Sequence, residues 1–171
     1  MLTLVIGGAA SGKSAWAETH ALSQPGPHIY LATMRPFGTE ARARIEKHRA
    51  MRAGKGFDTL ECAVDLASAR IPSGANVLLE DLSNLLANEL FDPEGGGTGA
   101  VERGLDMLLS RCGALTIVSN EVFSGGAAYA GETLWFLRQL ALLNRALAKK
   151  ADLVAEIVCG LPNVLKGEEL L

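Results

Sequence analysis

Short, almost continuous apolar runs alternate along this chain with longer stretches in which apolar residues return every three or four positions. The runs at 2–6, 28–32, 58–61, 76–80, 114–119 and 153–158 predict strands, and their unbroken apolar character suits strands covered on both faces. Helices are predicted over 13–22, 39–53, 82–91, 100–111 and 131–151. In the last of these, Leu134, Leu137, Leu140, Ala141, Leu143 and Leu147 lie close to one helical face. Trp135 and Phe136 widen it, and all these positions are expected in the core rather than around a cofactor. The glycine-rich segment 93–99 reads as a surface loop between two helices, and 123–130 as a second loop beyond a strand end. Strand–helix alternation predicts one α/β domain over residues 1–171, with a mostly parallel sheet and helices on both faces. Ligands of such sheets bind beyond the carboxyl ends of the strands. That rule brings 7–14, 33–37, 80–81 and 120–130 towards one another.

The first strand and helix are joined by Gly7-Gly8-Ala9-Ala10-Ser11-Gly12-Lys13-Ser14, which fits G-x-x-x-x-G-K-[ST] at every fixed position. A strand, a glycine-rich turn and a helix N-terminus together make an anion site, because backbone N–H groups can point inward at phosphates. Lys13 would reach the terminal phosphates and the Ser14 hydroxyl would ligate Mg2+. The alternative is a glycine-rich turn that merely caps a helix; the strand before the loop and the helix after it weigh against that. The motif predicts a P-loop NTPase-type fold and a nucleoside triphosphate ligand.

Composition narrows the setting. The 171 residues are 49% hydrophobic and 20% charged, as expected of a globular protein, and the net charge of −3 offers no general affinity for nucleic acid or anionic membrane. Cys62, Cys112 and Cys159 form no C-x-x-C pair and read as reduced thiols of a cytoplasmic protein. No apolar stretch is long enough for an integral membrane segment, and the first run is too short for a signal peptide.

Positive charge is concentrated in one place. Residues 42–55 hold six of the sixteen Lys and Arg residues, together with His48. Arg44, His48 and Arg52 recur at i, i+4 and i+8 and share one helical face. Flanking guanidiniums disfavour protonation of the imidazole, which keeps it nucleophilic, and they suit a phosphate under attack. A solvated helix carrying a surface histidine fits the same residues. His20 and His28 lack such a cluster and read as structural.

The strand at 76–80 ends in Glu80 and Asp81. A carboxylate there can orient magnesium or its water shell, a carboxylate can also accept from guanine N1–H and N2–H2, and Asp81 can cap the next helix. Spacing alone does not divide these roles.

Taken in order, the phosphate loop, Tyr30-Leu31-Ala32-Thr33, Arg44-Ile45-x-x-His48-x-x-x-Arg52, Leu78-Leu79-Glu80 with Asn88, Val118-Ser119-Asn120-Glu121-Val122, Asn144-x-x-Leu147-Ala148 and Gly160-Leu161-Pro162 with Lys166 cover nearly the whole chain. So arranged, the chain resembles the bifunctional adenosylcobinamide kinase / adenosylcobinamide-phosphate guanylyltransferase family of cobalamin biosynthesis. The resemblance implies phosphorylation of adenosylcobinamide by ATP or GTP, then transfer of GMP from GTP to adenosylcobinamide phosphate. It makes His48 the residue that carries GMP as a phosphoramidate, alongside Lys13 of the loop. It also implies nucleotide contacts from Thr33, Met34 and Arg35, from Arg49, Ala50, Met51 and Arg52, and from Glu61 and Glu80. Glu80 then reads guanine and Asp81 joins Ser14 on the metal side. A homotrimer is the implied assembly. The chain departs from the family at Ala10 and Leu134, where arginine is usual, and at 53–57 and 123–129. The motif taken alone also suits a single-activity small-molecule kinase or a non-catalytic nucleotide-binding regulator.

Overall fold

The computed structural model describes residues 1–35, 54–126 and 128–171. Its strands are β1 (Leu2–Gly7), β2 (His28–Ala32), β3 (Phe57–Glu61), β4 (Asn76–Glu80), β5 (Ala114–Asn120), β6 (Leu153–Val158) and β7 (Leu161–Lys166). The helices are α1 (Lys13–Leu22), α2 (Leu82–Phe91), α3 (Gly97–Arg111) and α4 (Gly131–Lys150). One sheet contains all seven strands in the order β3-β2-β4-β5-β1-β6-β7. Every pairing among β1–β6 is parallel, whereas β7 runs antiparallel to β6. The expected helix at 39–53 lies outside the described residues.

Alternation along the buried strands sends neighbouring side chains to opposite faces. Leu4, Leu31, Leu79 and Ile117 join Leu85, Leu86, Leu105, Leu108, Leu140 and Leu147 of α2, α3 and α4 in the larger core. Val5, Tyr30, Leu78, Val118 and Ile157 face the other way, against Ala17 and Ala21 of α1. The sheet therefore has helices on both faces. Close packing depends on Gly104 in α3, where an added Cβ would lie 2.4 Å from the Leu66 Cβ.

Three features differ from expectation by more than a residue at an element's end. First, α3 starts at Gly97, so the glycine-rich loop contributes its own first turn. Second, no residue of α4 before Leu140 is buried: Trp135 is 45% exposed and meets Phe91 edge to face, itself 49% exposed. Leu140, Leu143 and Leu147 do bury in the larger core, and Phe136 packs against its edge. Third, β7 was not anticipated. It is an edge strand with mostly exposed side chains and Pro162 within it, so no continuous apolar run announces it. Lys166 at its end donates to the carbonyls of Ala148 (3.4 Å), Lys149 (3.1 Å) and Ala151, capping α4.

His20 and His28 hold structural positions. The His20 ring is buried, shares a hydrogen bond with Thr3 Oγ1 (3.0 Å) and stacks on Trp16. His28 Nε2 meets the Gln24 carbonyl at 2.8 Å, and its ring abuts Phe57. All three cysteines are free. Among the described residues no helix is long and apolar enough to cross a membrane.

Candidate active site

The phosphate loop leaves β1 at Gly7, where a side chain has no room: an added Cβ would sit 2.9 Å from the Ile157 carbonyl. Gly12, with φ of 90°, supplies the left-handed turn into α1. Its flank is closed by the β6–β7 turn, where Gly160 N–H donates to the Ser11 carbonyl at 2.8 Å. Lys13 folds back over the loop and donates from Nζ to the Gly8 carbonyl at 3.1 Å. A cavity of about 320 Å³ opens beside Ala10, Ser11, Gly12, Lys13 and Ser14 and extends along α1 to Glu18, Tyr30 and Lys55. Lys55 and Glu18 are paired across it at 2.5 Å.

Strand order carries the acidic residues to this loop. β5 lies between β1 and β4, with Asn120 level with Gly7. Ser14 Oγ donates directly to Glu80 Oε1. Asp81 instead caps α2, accepting from Asn84 N–H at 2.7 Å and from the Asn84 side chain at 3.0 Å. The Asn120 amide bridges, donating to Ser83 Oγ (3.0 Å) and, at 3.5 Å, to Asp81. The peptide between Glu80 and Asp81 is cis.

Both carboxyls are held above the ordinary carboxylate range, chiefly by burial. For Glu80 the hydrogen bonds from Ser14 and Tyr30 oppose that rise, and the charges of Asp81 and Glu18 add to it. For Asp81 the Asn84 N–H, the Lys13 charge and the Asn120 amide oppose it. Burial of two neighbouring carboxyls in this way favours their neutral forms unless a positive charge lies close by. Glu80 Oε2 and Ser11 Oγ are buried and have no partner among the described residues, as is Arg35 Nε nearby in sequence to the β2 end. Unpaired buried polar atoms of this sort call for a ligand. A hydroxyl, two carboxylates and phosphate oxygens form an oxygen-only donor set that suits Mg2+. Among the described residues no cluster of three or more His, Cys, Asp and Glu side chains offers an all-protein metal cage, and magnesium at a phosphate site does not need one.

The residues after β2 adjoin the acid pair. Thr33, fully buried, donates from Oγ1 to the Asp81 carbonyl and accepts from Asp81 N–H, both at 2.8 Å. Arg35 is fixed to Asp92 at 2.7 Å and to Glu94 at 2.9 Å. Glu61 ends β3 level with Ala32, which is itself level with Glu80, so the three residues form a row across the strand ends. The structure thus draws Gly7–Ser14, Thr33, Glu80 and Asp81 together, with Met34, Arg35 and Glu61 along the adjoining strand ends. His48, Arg49, Ala50, Met51 and Arg52 lie outside the described residues. Sequence reasoning had not given Tyr30, Glu18 or Lys55 a place here. Tyr30 reads as one more core residue, and only the strand order shows its hydroxyl meeting Glu80.

The model of the cobinamide kinase / cobinamide phosphate guanyltransferase family matches residues 3–165. The chain belongs to this family. Similar proteins include the bifunctional adenosylcobalamin biosynthesis protein CobP of Pseudomonas aeruginosa, 33% identical over 99% of this chain and 100% of the relative. The corresponding CobU proteins of Salmonella typhimurium and Escherichia coli are 32% and 30% identical, each over 94% of this chain and 97% of the relative. Among solved structures, the P4 protein from bacteriophage phi6 in complex with ADP overlaps 95% of this chain and 53% of its own at a TM-score of 0.42 and 11% identity, too low a likeness to bear on function. In this cobinamide kinase / guanyltransferase chain, the phosphate loop and the acid pair stand side by side at the carboxyl ends of the strands.

Proposed function

We propose that this family member phosphorylates the hydroxyl of adenosylcobinamide with a nucleoside triphosphate and then joins GMP from GTP to that phosphate. The observation that carries the reading is the phosphate loop meeting Glu80 through Ser14, in a chain matched along its length by bifunctional relatives. In the kinase step the loop amides and Lys13 hold the phosphates, and Ser14, with Glu80 and Asp81, would hold the cation. Bound Mg2+ supplies charge neutralisation at the phosphate oxygens. Thr33, Met34, Arg35, Glu61 and the segment Arg49–Arg52 contact the nucleotide. The resemblance gives guanine to Glu80 and the metal side to Asp81, whereas the Ser14 bond favours Glu80 for the metal side and Asp81 is engaged in capping α2.

In the second reaction His48 attacks the α-phosphorus of GTP. The N–P bond forms as the bond to the bridging oxygen breaks, and pyrophosphate leaves. A phosphate oxygen of the acceptor then attacks the same phosphorus and releases the neutral imidazole. Splitting the transfer into two displacements is what a covalent nucleophile accomplishes, and the charge-rich segment around His48 suits it. A homotrimer is the assembly that the family resemblance implies.

The test is intact-protein mass after incubation with GTP and magnesium, for wild type and His48→Ala. A GMP-sized adduct on wild type alone is expected. Absence of any adduct in wild-type protein that binds GTP overturns the covalent step and favours a single-activity kinase.

A further inference from the structure

Glu89 on α2 is a charged side chain only 2% exposed, and the chemistry above makes no use of it. One of its oxygens accepts from Asp65 N–H and the other from Gly96 N–H, both at 2.6 Å. Its neighbour Asn88 donates to the carbonyls of Thr33 at 2.8 Å and Ala63 at 2.9 Å. Two consecutive residues of one helix therefore hold the segments that follow β2, β3 and α2. The third segment carries Asp92 and Glu94, the two carboxylates that fix Arg35. It is pressed against the helix at Gly95, where an added Cβ would lie 2.3 Å from the Glu89 carbonyl.

Burying a carboxylate is costly, and two short charge-assisted bonds offset that cost. Leu85 and Leu86 fill neighbouring positions of α2 with no such cost. What the charge gives, and a leucine cannot, is a fixed separation between two backbone N–H groups on different loops. We propose that Asn88 and Glu89 are positioning residues that set Thr33, Arg35 and Glu61 at the distance from the phosphate loop that the nucleotide requires. This inference rests on the proposed contacts of Thr33–Arg35 and Glu61 with nucleotide. Neither residue touches the reacting phosphates, so their removal acts on nucleotide affinity and leaves the chemical step.

The experiment measures the GTP dependence of guanylyl transfer by the full chain for wild type, Glu89→Gln, Asn88→Ala, Arg35→Ala and the Glu89→Gln/Arg35→Ala double variant. Gln retains the shape but puts an amide N–H2 against one of the two backbone donors. Glu89→Gln is expected to raise the KM for GTP about tenfold with kcat within about twofold, since buried charge-assisted bonds are strong. The double variant is expected to bind little worse than Arg35→Ala, because the two act through one network. An unchanged KM in Glu89→Gln, with a raised KM in Arg35→Ala, overturns the positioning role and leaves the nucleotide reading standing. Unchanged KM in both overturns the two together. A parallel fall in kcat with KM constant marks Glu89 as a stability residue only, which also overturns the proposal. If Glu89→Gln does not fold, Asn88→Ala decides by the same KM and kcat criteria, because it frees Thr33 and Ala63 without disturbing the buried charge.

Discussion

Replacing Glu80 by Gln should stabilise the ligand-free protein while weakening it as a nucleotide binder. The folded state holds the Glu80 carboxyl above its ordinary range, with burial the main cause. A carboxyl raised in this way binds its proton more tightly in the folded chain than in the unfolded one. Its stabilising effect is therefore complete below the unfolded value of about 4.3 and is lost as pH rises through the elevated folded value. Gln removes the buried charge, a relief of about 1–3 kcal/mol. It keeps one acceptor oxygen for the Ser14 and Tyr30 hydroxyls and loses the charge assistance, about 1 kcal/mol. The net is about 1 kcal/mol in favour of the variant at pH 8, or about 2–4 °C in Tm for a chain of this length. At pH 4 the two proteins should melt together. Saturating magnesium and GTP reverses the order. Ligand at about a hundred times Kd adds about 2.7 kcal/mol to wild type, and about 0.4 kcal/mol to a variant bound a hundredfold more weakly. Calorimetric melts from pH 4 to 8, with and without magnesium and GTP, read both effects. A ligand-free variant that melts below wild type at pH 8, or a difference independent of pH, would refute the buried-charge argument.

Two further outcomes follow from the geometry. Lys13→Ala should leave Tm nearly unchanged, since its one hydrogen bond among the described residues is to the loop carbonyl of Gly8. It should lower kinase kcat/KM at least about a hundredfold, as loss of a phosphate-facing charge does; initial rates with varied ATP and GTP measure this, and unchanged kinetics would count against the loop assignment. Gly104→Val drives a branched side chain into Leu66, where even the Cβ has only 2.4 Å. A loss of about 1–3 kcal/mol is expected, seen in urea unfolding, with the KM for GTP unaltered; wild-type stability would show that the helix can shift aside at no cost.

Much of this protein is legible in its sequence where the signal is local. The phosphate loop carries its own turn chemistry, and three of the six anticipated strands, β2, β4 and β6, match at both ends, while β1, β3 and β5 each differ by one residue at one end. Signals that depend on topology are not legible. That Ser14 meets Glu80 and not Asp81 follows from which face of β4 packs against α1: Glu80 alternates onto the face of Leu78, beside Ala17 and Ala21. Glu89 looks in sequence like one polar residue of an amphipathic helix, and only folding turns it inward. Trp135 misleads for the opposite reason: helical period says which residues share a face, not whether another layer covers it. The edge strand β7 has no buried face to leave a pattern.

The insertion of β5 also has a kinetic meaning. Ser14 and Glu80 are 66 positions apart, and their strands are held in place by a third drawn from later in the chain. Closing such loops is slow relative to forming local helices, because the entropy is lost before the contacts are made. A partly folded chain with β1 and α1 formed has a phosphate loop but no carboxylate opposite it. A ligand held by both the loop and the carboxylate would consequently recognise the finished sheet, not its intermediates. Its binding should slow unfolding while scarcely changing the rate of folding, which makes nucleotide capture a clock for the last step of assembly.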